Sequence, residues 1–116
     1  MFIKSFPDEM DLLGFFESEP VISDVEDLHF VYKTNDDNGV EMLFSFCATA
    51  GWIKTIISCN GKEISKYLSE DINEITLKKD NLGEYLYSEI ITDELITKFE
   101  IRVRPYISVN SNSLVR

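Results

Sequence analysis

A chain of 116 residues with 44% hydrophobic and 28% charged side chains can bury one core, is too short for two, and is globular in composition. Its net charge of −10 disfavours nucleic acid and anionic membrane as partners, since both require a basic footprint. No run approaches the roughly 18 apolar residues of a membrane span, and Lys4, Pro7, Asp8 and Glu9 interrupt the start before a signal-peptide core could form, so one cytoplasmic domain over 1–116 is expected.

In chain order, Pro7 to Glu17 predicts the one helix. Pro7 suits its first position, Asp8 and Glu9 face the positive end of its dipole, and Met10, Leu12, Leu13, Phe15 and Phe16 supply an apolar side. Pro20 closes it. Short β-type runs follow. Leu28, Phe30 and Tyr32 alternate with His29, Val31 and Lys33, and the Asn35–Gly39 turn leads to a second strand through Val40, Met42, Phe44 and Phe46. Leu43 and Cys47 make the opposite face of that strand apolar too, which predicts a central position covered on both sides. Asn60-Gly61 between Trp52–Cys59 and Lys62–Leu68 predicts a two-residue type I′ hairpin. Ile72–Lys78 and Glu84–Ile91 flank a turn at Asp80–Gly83, and Leu95–Val103 reads as a half-buried strand ending at Pro105. The tail after Tyr106 reads as loosely held. The expected fold is mainly β (α+β), an antiparallel β-sandwich or partial barrel of about seven strands with one N-terminal helix.

Charge is unevenly placed. Residues 1–41 carry eleven acids (Asp8, Glu9, Asp11, Glu17, Glu19, Asp24, Glu26, Asp27, Asp36, Asp37 and Glu41) against Lys4 and Lys33, a net of −9, while 42–116 carry ten acids against nine bases. A field concentrated in this way serves solubility or attracts something cationic.

Patterns that carry a reaction are absent. His29 is the only histidine, so a His-based metal site or triad would need its other members from carboxylates or cysteine. Cys47 beside His29 would make a nucleophile and base only with something to lower the thiol's pKa, and FSFCATA offers neither a basic neighbour nor a helix N-terminus. Cys47 and Cys59 read as reduced core thiols. Thr34–Gly39 resembles a calcium loop in its acids and glycine, but with Gly39 aligned, Thr34 stands at the first ligand position and Ser45 at the twelfth, so a hairpin turn is expected. No catalytic residue, metal or cofactor is assigned, and the protein is not read as an enzyme.

The one constellation above background is acid mixed with aromatic. Carboxylates flank strand residues from Glu17 to Glu41, while Trp52, Tyr67, Tyr85 and Tyr87 lie on strands. A protein-recognition patch has this makeup, and so does a solubilising surface over an aromatic core. The opening FPDEMDLLGFFESEPVISDVEDLHFVY, an aromatic helix, a proline break and an acid-studded strand, resembles the small acidic immunity proteins that bacteria make against toxins, including those of contact-dependent growth inhibition. The resemblance implies an inhibitor that occludes the active site of a cognate toxin domain, commonly a basic nuclease. Glu26, Asp27, Asp36, Asp37 and Glu41, carried by one hairpin, and Trp52 are the partner-binding candidates. A small-molecule or lipid-binding β-barrel module is the alternative, and its sign would be an internal apolar cavity.

Overall fold

The computed structural model describes residues 2–116. One helix and nine strands follow one another: α1 (Glu9–Phe16), β1 (Ile22–Asp24), β2 (His29–Asn35), β3 (Val40–Cys47), β4 (Trp52–Cys59), β5 (Lys62–Ser69), β6 (Thr76–Asp80), β7 (Gly83–Ile91), β8 (Leu95–Arg102) and β9 (Ser108–Val115). The strands form two antiparallel sheets, β1-β2-β3-β4-β5 and β6-β7-β8-β9, packed as a sandwich that does not close into a barrel.

The period-2 alternation explains how the layers meet. On one face of the five-stranded sheet, register brings Phe30, Phe46 and Ile53 into one row, and Tyr32, Phe44 and Thr55 into the next. This face meets Leu86, Phe99 and Ile101 of the smaller sheet over β4 and β5, with Tyr67 and Phe99 at 5.1 Å between ring centroids. Over β2 and β3 it meets α1 instead. There Phe16 stacks on Tyr32 at 4.6 Å and lies 5.7 Å from Phe44, and Phe15 abuts Phe16 edge-on at 4.9 Å. One core therefore joins the helix and both sheets. The gap between the sheets holds only about 10 Å³, less than a ligand requires, so the sign expected of a ligand-binding barrel is missing there.

Several expectations change. The helix is shorter than Pro7–Glu17: Asp8 is its N-cap, accepting the Asp11 N–H at 2.8 Å, and Pro7 precedes the cap. Glu17 ends it in the left-handed region (φ 57°), before Pro20 is reached. There are nine strands rather than about seven. Strand β1 is a three-residue edge, too short for an alternation to register. Strand β9 overturns the loosely held tail, pairing with β8 from Leu95↔Val115 to Arg102↔Ser108. Its Asn110–Ser113 core is polar because most of this edge lies beyond the packed interior, and the backbone ladder, invisible to a hydrophobic pattern, holds it. Ile72 and Ile75 are buried without being in β6, whose first residue is Thr76. They anchor the crossover between sheets, with their N–H groups donating to Gly51 and Ser5 carbonyls.

The central position of β3 and the Asn60-Gly61 hairpin appear as expected, with both turn residues at positive φ (51° and 83°).

Candidate functional site: the acidic end beside the helix

The eleven N-terminal acids remain largely unneutralised. Among the described residues only two take part in ion pairs, Glu41 with Lys33 at 3.6 Å and Glu17 with Arg104 at 3.1 Å. The other sheet is different. On its outer face Arg102, itself buried, is held between Asp80 and Glu100 and lies 4.5 Å over the Tyr85 ring, while Lys78 caps Tyr87 at 3.9 Å. The guanidinium hydrogen-bonds the Asp80 carboxyl and holds it below the usual range. Tyr87, desolvated and hydrogen-bonded to Glu89 at 2.6 Å, has its phenol pushed up to about 12. Charge on that face is spent internally; charge at the N-terminal end is free to act outward.

The six candidate residues fall at two ends of one strand. Glu26 and Asp27 are exposed in the β1–β2 turn, whereas Asp36 and Asp37 occupy the β2–β3 turn and Glu41 is the second residue of β3. Strand rise puts the two turns roughly 25 Å apart, so one hairpin carries these acids without gathering them. Trp52 lies at the Glu26 end, on the outer face of the five-stranded sheet, in a row with Asp24, His29 and Cys47.

Asp36 has an internal task. Burial pushes its carboxyl upward, but N–H donors from Ile107, Asn38 and Val40 outweigh this and hold it below the ordinary carboxylate range. The loop that resembled a calcium site is thus a turn clamped by one side chain. Gly39 beside it has φ 79°, and a Cβ there would meet the Asn60 side chain at 2.8 Å, so neither its backbone angle nor the available space suits a larger residue.

The hairpin does bring His29 and Cys47 into register. Their chemistry is packing. The Cys47 thiol, 8% exposed, contacts the Asp27 carbonyl at 3.5 Å and the Thr49 hydroxyl at 3.4 Å, and the His29 ring lies edge-on to Trp52 at 5.4 Å. Thr49 also donates to the Asp27 carbonyl at 2.9 Å, tying the β3–β4 turn to the β1–β2 turn. Both cysteines are free, and among the described residues no three His, Cys, Asp or Glu side chains converge as a metal would require. None of the described helices is long and apolar enough to cross a membrane.

Sequence reasoning passed over the cleft between α1 and the β1–β2 hairpin. It measures about 320 Å³, its floor includes Phe6, Phe30, Tyr32 and Phe46, and Glu9, Pro20 and Val25 stand at its sides. A smaller hollow between Glu9, Leu13, Glu19, Pro20 and Tyr32 adjoins it. Burial raises the Tyr32 phenol, and the Glu9 and Glu19 carboxylates raise it further, placing both acids in the field of the cleft. The signal was present in the sequence as Glu9 and Glu19 bracketing an aromatic helix that ends just before Pro20.

No protein-family model matches the chain, and no curated protein matches it. Among solved structures, it is similar to a chain of the contact-dependent growth inhibition toxin–immunity protein complex from Klebsiella pneumoniae 342. The two are 41% identical, the match covers 98% of this chain and 100% of that one, and the TM-score is 0.94. With an acidic two-sheet sandwich, one N-terminal helix and that full-length likeness, the protein belongs to the immunity proteins of contact-dependent growth inhibition systems.

Proposed function

We propose that this protein binds and neutralises a cognate toxin domain in the cytoplasm, acting as an inhibitor and not as an enzyme. The observation that carries this reading is the 41% identity, over the full length of both chains, to a chain from a toxin–immunity protein complex. The unpaired acids around α1 and the β1–β2 turn support its electrostatic form. Seven carboxylates there, Asp8, Glu9, Asp11, Glu19, Asp24, Glu26 and Asp27, form no ion pair among the described residues; they draw in a cationic surface and speed encounter, and fixed carboxylates gain charge-assisted hydrogen bonds to Arg and Lys. The toxin is then a basic domain, a nuclease by the logic that a cleft built for a polyanionic substrate is positive, and the inhibitor covers its active site.

Glu26, Asp27 and Trp52, together at one end, are the proposed contacts. Asp37 extends the acidic field at the other end, where Asp36 is committed to its loop and Glu41 is engaged by Lys33. Co-expression with the cognate toxin domain tests the reading. Survival of cells that otherwise die, with a complex that co-purifies and weakens as salt rises, is the expected result. Death of the cells with no complex formed would refute it.

A further inference from the structure

The cleft beside α1 has the chemistry of a socket. Its floor is aromatic: Phe6 and Phe30 lie 5.2 and 5.5 Å from Phe46, and Tyr32 closes the inner side. Exposed apolar side chains stand at the opening, Val25 on the cleft and Met10 on the adjoining hollow. Glu9 and Glu19 stand beside it, both exposed, and neither forms an ion pair among the described residues. Tyr32 is only 2% exposed and lines both the cleft and the adjoining hollow, where burial and then the Glu9 and Glu19 carboxylates raise its phenol.

These features select an occupant. An anionic group would be repelled by the two carboxylates. A purely apolar side chain would strip water from Glu9, Glu19 and the Tyr32 hydroxyl and return no hydrogen bond. An arginine satisfies all of them: its methylene stem covers the apolar floor, its planar guanidinium lies against aromatic rings, and its N–H donors reach carboxylates and a phenol oxygen. A volume of about 320 Å³, open to solvent on one side, suits a single inserted side chain.

We propose that the cleft between α1 and the β1–β2 hairpin, with Glu9 and Glu19 at its mouth and Phe30, Phe46 and Tyr32 as its floor, is the anchor site for one arginine of the toxin domain. This deepens the function proposed above and rests on it. Buried arginines in aromatic pockets are the kind of contact that dominates an interface, so the socket determines which toxin is recognised as well as how tightly.

Two measurements separate the socket from the wider reading. In the first, binding of the cognate toxin domain is measured by titration calorimetry for the parent, for the double variant Glu9→Gln/Glu19→Gln, for the cleft-filling Val25→Trp, and for Glu63→Gln on the distant β5. The socket predicts at least a tenfold loss for the first two variants and none for the third, with circular dichroism unchanged. Parent binding with all variants within twofold overturns the socket and leaves the function standing. Absence of parent binding refutes the function. The second measurement judges the socket on its own. Butylguanidinium, added at millimolar concentration to the free protein, should shift the Leu12 and Val25 amide resonances saturably, and the Glu9→Gln/Glu19→Gln variant should abolish the effect. No shift in the parent overturns the proposal.

Discussion

Removing the Phe16 ring tests the claim that α1 is an integral wall of the molecule. Phe16 is 4% exposed, stacks on Tyr32 and lies near Phe44, so Phe16→Ala deletes a buried ring at the point where the helix meets the larger sheet. Phenylalanine-to-alanine changes in cores cost about 3–5 kcal/mol, a large part of the roughly 5–15 kcal/mol that holds a domain together. With a urea dependence of about 1.5 kcal/mol per molar, the midpoint of unfolding should fall by roughly 2–3 M. Phe16→Leu keeps most of the buried apolar area and loses chiefly the ring–ring preference, about 1 kcal/mol, so its midpoint should fall by less than about 1 M. Both variants are followed by circular dichroism and tryptophan fluorescence in the same titration. A midpoint loss under about 1 M for Phe16→Ala, with an unchanged slope, would show that the helix is a loosely attached appendage. The socket wall would then have no rigid support.

Neutralising the exposed turn as Glu26→Gln/Asp27→Asn should slow association with the toxin domain several-fold at low salt and much less at high salt, read by stopped-flow; equal rates at both would remove these acids from encounter. The Asp36 carboxyl, held low by amide hydrogen bonds despite its burial, and the Asp80 carboxyl, held low by the Arg102 hydrogen bond, contribute stability that is present above the ordinary carboxylate range and is lost as pH falls towards their depressed values. Urea midpoints between pH 5 and 3 should therefore decline less steeply in Asp36→Asn than in the parent. Tyr87, with its phenol raised to about 12, should not ionise below about pH 11, and Tyr87→Phe should leave the ultraviolet absorbance change between pH 9 and 11 unaltered. Ending the chain at Tyr106 removes β9 and bares the β8 ladder, so limited proteolysis should cut the shortened protein well before the full chain.

Legibility in the sequence followed burial. Strands β2, β3, β4 and β8 announce themselves because alternate residues enter the core, and Asn60-Gly61 because its backbone angles admit few residue types. Strand β9 gave no such sign: a polar edge is specified by the neighbour that hydrogen-bonds to it. The Ile72 and Ile75 pair misled for the converse reason, since a crossover that dips into the core acquires apolar residues without becoming a strand. For the site, composition revealed the sign and rough location of the charge. It could not separate Asp36, occupied with three amides, from Asp37 beside it, nor show that a strand's length divides the candidate acids. The cleft joins Phe6, Phe30 and Phe46, which only the tertiary arrangement brings together.

The Asp36 carboxylate accepts its third backbone hydrogen bond from Ile107, 71 residues later. A ribosome adding about 5–20 residues per second needs about 4–14 s to make that stretch. Throughout that interval the β2–β3 hairpin waits for that donor, and the corner is locked only once Ile107 has left the exit tunnel. A chain cut short before Ile107 thus lacks one of the three amides that clamp this turn, and an incomplete copy carries a looser corner than a finished one.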